Sequence, residues 1–423
     1  MSTASIEAVD AREILDNRLE PTLRVTVETP AGTGQADVPR GRSRGDHEAL
    51  DLRDGDDRYR GRGVRCAVAN VEERIAPALV GRDATAQRSV DACLTDLNDP
   101  DDPLGGNAIT GVSLAVLRAG AAATDQPLYR YLGGADAHVI PLPFFDLIEG
   151  GELAGGGLPF QEHQVVPVGA DSVAEAVRMA AEVYYELGDI VRAEYGEASL
   201  NVGAEGGYVP TGVDDPRTAF DLELRAVEAC GYDGEFALAA DVAASQFYDA
   251  ETGTYALLGE RLSPGELLGF YENLADAYPL VSLEDPFDQD DFATTADLTD
   301  RLDVQVVGDD LFATTPARLR RGIDHGAGNA LLWKVNQVGT VTDAVEAARL
   351  ATRNGYAVQV SERSGQTPDT WLADLAVGLD AGQIKTGVTR GERTEQYNRL
   401  LEIEAELGDA ATFGPPADGV FDP

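Results

Sequence analysis

The chain has 423 residues, 43% of them apolar, which is enough for two domains and excludes a disordered chain. Asp and Glu number 74 against 33 Lys and Arg, and the net charge of −41 excludes nucleic-acid binding through a broad basic surface. No apolar run approaches the roughly 18 residues of a membrane span and the first residues lack a secretory signal pattern, so we expect a cytoplasmic protein that does not bind membranes.

The first third of the chain predicts a small α+β domain. Three short runs suit an antiparallel meander with a turn at Ala31-Gly32: residues 4–11, 21–29 and 34–39. Three later segments suit helices: residues 64–79, 85–97 and 108–123. We place the end of this N-terminal α+β capping domain after Gly133-Gly134, so that residues 1–137 form it and residues 138–423 form a second domain.

The second domain has a repeating organisation. Short β-like runs end one after another in a chemically capable residue: Asp241, Glu284, Asp309, Lys334, Glu362 and Lys385. The last four are spaced by 23 to 28 residues, about the length of one strand-plus-helix unit. Helix signals fill the gaps, since Thr315-Pro316 suits a helix start and Thr342 opens a helix that ends at Asn354-Gly355. This pattern predicts an α/β fold, a parallel barrel with its chemistry at the carboxyl ends of the strands.

Lysine is almost eliminated from the chain. Only Lys334 and Lys385 occur, and both follow apolar strand-like runs, while every other basic residue is arginine. Arginine stays charged in proteins, whereas burial and neighbouring charges can tune lysine to act as a base. We therefore expect both lysines to be catalytic; the alternative is that they are two buried lysines without a function.

Three strand ends supply carboxylates, at Asp241, Glu284 and Asp309. Carboxylate oxygens with room left for water and substrate suit Mg²⁺, a hard cation. A magnesium ion beside a lysine base is an arrangement that stabilises an enediolate after proton abstraction next to a carboxylate. The alternative for each of these acids alone is a solvated loop residue.

Several motifs occur in the order of one known family, and together they are highly specific. They are Ile14-Leu15-Asp16-Asn17-Arg18, His47-Glu48-Ala49, Phe160-Gln161-Glu162, Asn201-Val202-Gly203, Glu205-Gly206-Gly207, Ser282-Leu283-Glu284-Asp285-Pro286-Phe287, Gly308-Asp309-Asp310-Leu311, Lys334-Val335-Asn336-Gln337, Arg363-Ser364-Gly365 and Gly382-Gln383-Ile384-Lys385-Thr386-Gly387. Over nearly its whole length the chain resembles the enolases. The resemblance implies a TIM-type (β/α) barrel with an N-terminal α+β capping domain and a mobile loop at residues 38–47.

The resemblance also implies a reaction and a set of residue roles. The reaction is a Mg²⁺-dependent carbon–oxygen lyase step that interconverts 2-phosphoglycerate and phosphoenolpyruvate, a small anionic phospho-carboxylate pair, in a homodimer or larger homo-oligomer. By resemblance, the first Mg²⁺ binds to Asp241, Glu284 and Asp309. Lys334 is the base, Lys385 neutralises the substrate carboxylate, and Glu205 assists departure of hydroxide with Glu162 nearby. The expected substrate-binding residues are Arg363, Ser364, Lys385, Gln161, Arg40 and Glu362.

The chain departs from the family pattern around the same site. Arginine replaces a serine at Arg40, leucine and glutamate replace histidines at Leu153 and Glu362, and alanine replaces an aspartate at Ala204. Arginine also stands at the two further variable positions of the loop, 42 and 44. We expect these arginines to close on an anionic substrate and to supply the charge of a second Mg²⁺, which leaves one Mg²⁺ per site; the alternative is a surface loop that balances local acids.

Three functions remain open from the sequence. The first is the enolase reaction itself, and the second is the same chemistry on another phosphorylated or phosphonate carboxylate. The third is a non-catalytic scaffold that keeps the fold, which the intact Lys334 and Lys385 argue against.

The acidic residues are spread along the chain, which favours adaptation to concentrated salt over an ordinary acidic enzyme. With a net charge of −41, self-repulsion in dilute buffer should destabilise the fold or its oligomer. We expect the melting temperature to rise by several degrees between dilute and molar KCl, as measured by circular dichroism. A melting temperature that does not change with KCl concentration would contradict salt adaptation.

Overall fold

The chain begins with an antiparallel meander in the computed structural model, which describes residues 3–414. Its strands are β1 (Ala8–Leu15), β2 (Pro21–Thr29) and β3 (Gly32–Asp37), and the expected turn joins the last two. The first strand starts later than the predicted residues 4–11. The reason is that Ile6 donates its backbone N–H to Arg82 O, at 2.8 Å, and so pairs with a later loop.

Helices follow the meander where the sequence predicts them. The segment predicted at 64–79 is helical from Arg65 to Leu79, with a π-helical stretch at Asn70–Ile75 between two α-helical ones. The helices of this domain are Arg65–Ala69, Asn70–Ile75, Ala76–Leu79, Gln87–Leu97, Gly106–Ala123 and Leu128–Gly133. The helix Gly106–Ala123 is buried along almost its full length, because its small residues let it lie directly on β2 and β3.

Eight strands close into a barrel in chain order, as the sequence predicts for the second domain. They are β4 (Leu142–Glu149), β5 (Glu162–Val166), β6 (Ala237–Asp241), β7 (Leu280–Glu284), β8 (Gln305–Gly308), β9 (Ala330–Trp333), β10 (Ala357–Ser361) and β11 (Gly382–Lys385). The helices of this domain are Val173–Tyr195, Pro216–Ala229, Pro264–Ala277, Phe292–Arg301, Pro316–His325, Val335–Val338, Val341–Arg353, Trp371–Gly378 and Gly391–Leu407.

Short strands complete the second domain. A small antiparallel sheet contains Tyr248–Asp249, Thr254–Leu257 and Glu260–Leu262. Val139–Ile140 pairs in parallel with Thr412–Phe413. Among the residues that the structure describes, none of the helices is both long and apolar enough to cross a bilayer.

One strand corrects the expectation of a fully parallel barrel. β5 runs antiparallel to both β4 and β6, because residues 150–161 connect β4 to β5 as a loop instead of a crossover helix. The first residue of β5 therefore lies at the edge where the other strands end. Glu162 is in register with Glu149 on one side and with Asp241 on the other.

Buried hydrogen bonds fix the capping domain to the barrel. Asp91 accepts from the backbone N–H of Thr342 at 3.0 Å and also from the Thr342 hydroxyl. The helix that the sequence predicts to open at Thr342 begins one residue earlier, at Val341. Thr340 is the N-cap, and its hydroxyl accepts from the backbone N–H of Asp343 at 3.1 Å.

The contact between β3 and the helix Gly106–Ala123 predicts a sensitive glycine. A Cβ at Gly34 would lie 2.1 Å from Ala115 O and 2.2 Å from Ala119 N, so Gly34→Ala must push backbone apart. We expect a loss of about 2–3 kcal/mol in the free energy of unfolding, measured by guanidinium denaturation in concentrated KCl. Gly269→Ala is the control, because its helical position is open and alanine should there be neutral or stabilising. Equal effects of the two substitutions would contradict this packing.

Candidate active site

A cavity of about 200 Å³ opens at the carboxyl ends of the barrel strands, beneath the loop at residues 38–47. It brings together most residues that the sequence nominated, namely Gln161, Glu162, Glu205, Asp241, Asp309, Lys334, Glu362, Arg363, Ser364 and Lys385. Glu284 lies behind this lining and is bonded to Lys385. The carboxyl ends of β6, β8, β9, β10 and β11 and the start of the reversed β5 meet here, so residues far apart in sequence share one small space.

Lys385 is the most enclosed cation of the cavity, with 2% of its surface exposed. Its Nζ lies 2.7 Å from Glu284 Oε2, 2.9 Å from Glu162 Oε2 and 3.5 Å from Asp241 Oδ2. Burial alone would lower the pKa of Lys385, but these carboxylates outweigh it and hold the pKa well above its usual value. Lys385 is thus a fixed positive charge and is suited to hold an anionic group.

Lys334 also lines the cavity and lies directly after β9. Its Nζ is 2.5 Å from Asp309 Oδ2, and the other oxygen of Asp309 accepts from Gln337 Nε2 at 2.7 Å. Burial lowers the pKa of Lys334, but Asp309 and Glu284 outweigh it and raise the pKa overall. In this arrangement Lys334 carries its proton, and its basicity depends on the charge of Asp309.

The three carboxylates predicted as metal ligands surround these lysines. Lys385 bridges Asp241 and Glu284, and Lys334 holds Asp309, so the lysines partly fill the space between the acids. Glu284 Oε1 is buried and has no hydrogen-bond partner among residues 3–414. Burial and the charge of Asp241 raise the pKa of Glu284. A free buried oxygen in a set of like charges fits a hard divalent cation.

Two other groups of three carboxylates, within the part of the chain described, bring one oxygen each within 4.8 Å of one another. The first contains Asp285, Asp309 and Asp310. Both oxygens of Asp285 there accept backbone N–H groups, from Asp309 at 2.9 Å and from Asp310 at 2.7 Å. Asp285 thereby shapes the loop that presents Asp309. The second group contains Asp146, Glu205 and Glu362.

Glu205 is held by an acid that the sequence argument did not nominate. Glu149, the last residue of β4, accepts the backbone N–H groups of Glu205 at 3.1 Å and of Gly207 at 2.6 Å. Burial, with the nearby charge of Glu205, raises the pKa of Glu149 to about 8. The sequence pattern could have identified Glu149, because it ends an apolar strand-like run in the same way as the nominated acids.

Glu362 pairs with a fully buried arginine of the helix Gly391–Leu407. Arg393 contacts Glu362 and also donates to Arg363 O at 2.9 Å and to Ser364 O at 3.0 Å. Thr386 donates to the same Glu362 carboxylate at 3.1 Å. Arg393 therefore fixes the chain segment after β10. The sequence pattern could not identify Arg393, because the criterion was a polar residue at the end of a strand and Arg393 lies in a helix.

Arg363 is already occupied by an internal carboxylate. Its guanidinium forms two bonds with Glu48, at 2.8 and 3.0 Å, and 4% of its side chain is exposed. Glu48 directly follows the loop at residues 38–47. The backbone of this loop also binds the residue after Arg363, because Arg42 donates its N–H to Ser364 Oγ at 2.6 Å. The loop thus lies closed over the cavity, with its own anion at the site expected for phosphate.

Arg40 is a nominated side chain that the structure directs elsewhere, and Arg42 is not part of the cavity lining either. Its backbone pairs with Gly365, but its guanidinium binds Glu20 at 2.8 Å and Asp51 at 2.7 Å, away from the cavity lining. Arg44 does line the cavity and binds Ala49 O at 2.8 Å. The physical reason is that two partly buried acids outside the cavity, Glu20 and Asp51, neutralise Arg40. Its placement therefore gives no support to substrate binding or to the replacement of a second Mg²⁺.

The comparisons with known proteins agree with this geometry. The family model described as "Enolase, N-terminal domain" matches residues 6–132, and "Enolase, C-terminal TIM barrel domain" matches residues 137–417. The chain belongs to the enolase family. It is 53% identical over 421 residues to the enolase of Methanopyrus kandleri, with 98% of each chain covered.

Two further archaeal enolases give the same result. That of Methanocaldococcus jannaschii is 50% identical over 95% of this chain and 96% of its own, and that of Thermococcus kodakarensis is 48% identical over 96% of both. The expected fold class and the expected class of enzyme, a carbon–oxygen lyase, are confirmed. Membership of the family implies a divalent metal and a small phosphorylated carboxylate as substrate.

Proposed function

We propose that this enolase-family lyase interconverts 2-phosphoglycerate and phosphoenolpyruvate with Mg²⁺ bound at Asp241, Glu284 and Asp309. The observation that supports this most directly is the content of one 200 Å³ cavity. The cavity holds two buried lysines, a cluster of acids and a buried arginine, and a three-carbon phosphorylated acid needs a partner for each of its charged groups.

The two lysines have different roles. Lys334 removes the proton next to the substrate carboxylate, because its Nζ has only one carboxylate partner, Asp309. Lys385 holds the substrate carboxylate, since three acids keep it charged at any working pH. Glu205 assists departure of hydroxide, and Glu162 lies beside Glu205. Burial raises the pKa of Glu162 to about 7, although the charge of Lys385 lowers it.

The free oxygen of Glu284 is the feature that fits the metal. A bound divalent cation would supply positive charge for the developing enediolate. It would also offset the charge of Asp309, which raises the pKa of Lys334. Arg363 and Ser364 bind the phosphate. Gln161, which donates to Asp241 Oδ2 at 2.8 Å, contributes to substrate binding.

A second candidate is the same reaction on another phosphorylated or phosphonate carboxylate. Leu153 lines the cavity with an apolar side chain, and Glu362 adds a negative charge near Arg363. Both alter the surroundings of the phosphate end. Comparison of kcat/KM for 2-phosphoglycerate with the values for related phosphorylated and phosphonate acids distinguishes the two candidates.

The remaining expectations are proposals of the same kind. The net charge of −41 supports adaptation to concentrated salt. We place the enzyme in the cytoplasm, where its small phosphorylated substrate is found, and we propose that it forms a homo-oligomer. Sedimentation in molar KCl tests the oligomer.

Lys334→Arg keeps the charge of Lys334 but removes a base that works near neutral pH. We expect exchange of the substrate α-proton with deuterated water to slow by about 10²–10⁴-fold, as followed by NMR. Mg²⁺ binding should stay nearly intact, because the three carboxylates remain.

Lys385→Arg is the matched control, as the chain has no third lysine. It should lower turnover by misplacing the carboxylate, without the selective loss of exchange. Wild-type exchange in Lys334→Arg would remove Lys334 from the role of base, and full activity in EDTA would remove the metal from the reaction.

The bond between Glu48 and Arg363 predicts competition with phosphate. Glu48→Gln leaves the buried Arg363 without its anion, so inorganic phosphate should bind roughly tenfold more tightly, which corresponds to about 1.4 kcal/mol. Isothermal titration at fixed KCl measures this. Glu20→Gln is the control, because Glu20 pairs with Arg40 outside the cavity and its loss should not change phosphate affinity. Weaker phosphate binding by Glu48→Gln would show that Glu48 orients Arg363 instead of competing for it.

A further inference from the structure

A second cluster of carboxylates lies at the floor of the cavity. It contains Asp146 from the middle of β4, Glu205 from the loop that Glu149 holds, and Glu362 from the end of β10. One oxygen from each lies within 4.8 Å of the others, and all three residues are buried. The cluster shares none of its members with Asp241, Glu284 and Asp309.

Two of these acids present an oxygen with no hydrogen-bond partner among the described residues. Asp146 Oδ1 accepts from Gln164 Nε2 at 2.7 Å, whereas Oδ2 is buried and free. Glu362 Oε2 accepts from Thr386 and contacts Arg393, whereas Oε1 is buried and free. Each carboxylate is therefore fixed by one oxygen and offers the other. Asp146 is 0% exposed and Glu362 is 2% exposed.

Gly387 keeps space open on one side of the cluster. A Cβ at this position would lie 3.0 Å from Glu362 Oε1 and 2.5 Å from Glu205 O. The backbone φ of +69° also favours glycine there. The free oxygen of Glu362 thus faces the backbone that carries Glu205, across a gap that a side chain would close.

The charges around the cluster do not balance. Glu149 and Glu162 stand next to it, and within residues 3–414 the cations that form ion pairs with these five acids are Lys385 and Arg393. Lys385 is shared with Asp241 and Glu284. Burial, with the charges of Glu162 and Glu205, holds the pKa of Asp146 well above its usual range. Excess buried negative charge requires either protons or a bound cation.

We infer that Asp146, Glu205 and Glu362 bind a divalent cation, at a site separate from the proposed Mg²⁺ centre. Three buried carboxylates, two of which carry an oxygen without a hydrogen-bond partner, form a set of hard ligands that suits Mg²⁺, Ca²⁺ or Mn²⁺. Glu205 and Glu362 line the cavity, so the cation enters through it. The cation orients Glu205 and offsets the charge that the cluster places beside Lys385. Binding does not require turnover, so the inference is independent of the proposed substrate.

Mn²⁺ binding to the whole protein tests the site. Equilibrium dialysis with EPR detection of free Mn²⁺ is done in about 1 M KCl, where the screening length of roughly 3 Å suppresses loose binding to the acidic surface. We expect two tight Mn²⁺ per wild-type chain. Asp146→Asn and Glu284→Gln should each keep one, with the other weakened at least about tenfold, and the double variant should bind none tightly.

Glu223→Gln is the matched control. Glu223 is fully buried and neither of its oxygens has a hydrogen-bond partner in the described part of the chain, but it belongs to neither group of three carboxylates. This variant should keep two Mn²⁺. Circular dichroism checks the fold of each variant, and Glu205→Gln replaces Asp146→Asn if the latter does not fold.

The outcomes separate this inference from the proposed function. One Mn²⁺ in the wild type that is lost in Glu284→Gln, or two Mn²⁺ that persist in Asp146→Asn and Glu205→Gln, would overturn the second site and leave protons to balance the cluster. Loss of one Mn²⁺ in Asp146→Asn with no loss in Glu284→Gln supports the second site and contradicts the proposed Mg²⁺ centre.

Discussion

The compensation of buried charge at the carboxyl edge of the barrel is the constraint on which the rest of the site depends. Many acids and few bases are enclosed there, and each unpaired charge in a poorly solvated space is costly. Lys385 contacts three acids, Lys334 contacts one, and Arg393 contacts Glu362. The pairing determines which groups are fixed charges and which can change their protonation. It also leaves oxygens, such as Glu284 Oε1, free for cations.

The reversed strand of the barrel makes this concentration of charge possible. A parallel strand contributes one residue at the reactive edge, at its end. The antiparallel β5 contributes its start instead, so Glu162 stands between Glu149 and Asp241 in neighbouring strands. Three acids from adjacent strands thus lie side by side, at the spacing of paired strands. Glu162 and Asp241 contact Lys385, and Glu149 binds the loop that carries Glu205.

The capping domain completes the site through an anion of its own. Glu48 binds Arg363, and the backbone of the loop pairs with residues 364 and 365, so closure uses the same groups that are proposed for the phosphate. The proposed binding of phosphate to Arg363 would therefore couple substrate binding to the position of the loop, through competition for one arginine. Arg40 stabilises the base of the loop, where Glu20 and Asp51 hold it.

The sequence by itself determined the barrel, the helices of the capping domain and the nominated strand-end residues, because strand and helix periodicity and the order of motifs are local properties. It missed Glu149 and Arg393, and it directed Arg40 toward the substrate, whereas the Arg40 guanidinium binds Glu20 and Asp51. Their placement depends on contacts between residues far apart in the chain, such as that of Arg393 with Glu362. Only the tertiary structure decided the direction of β5 and the partner of each buried charge, since a pattern gives the position of a side chain along its element but not the charge that it meets.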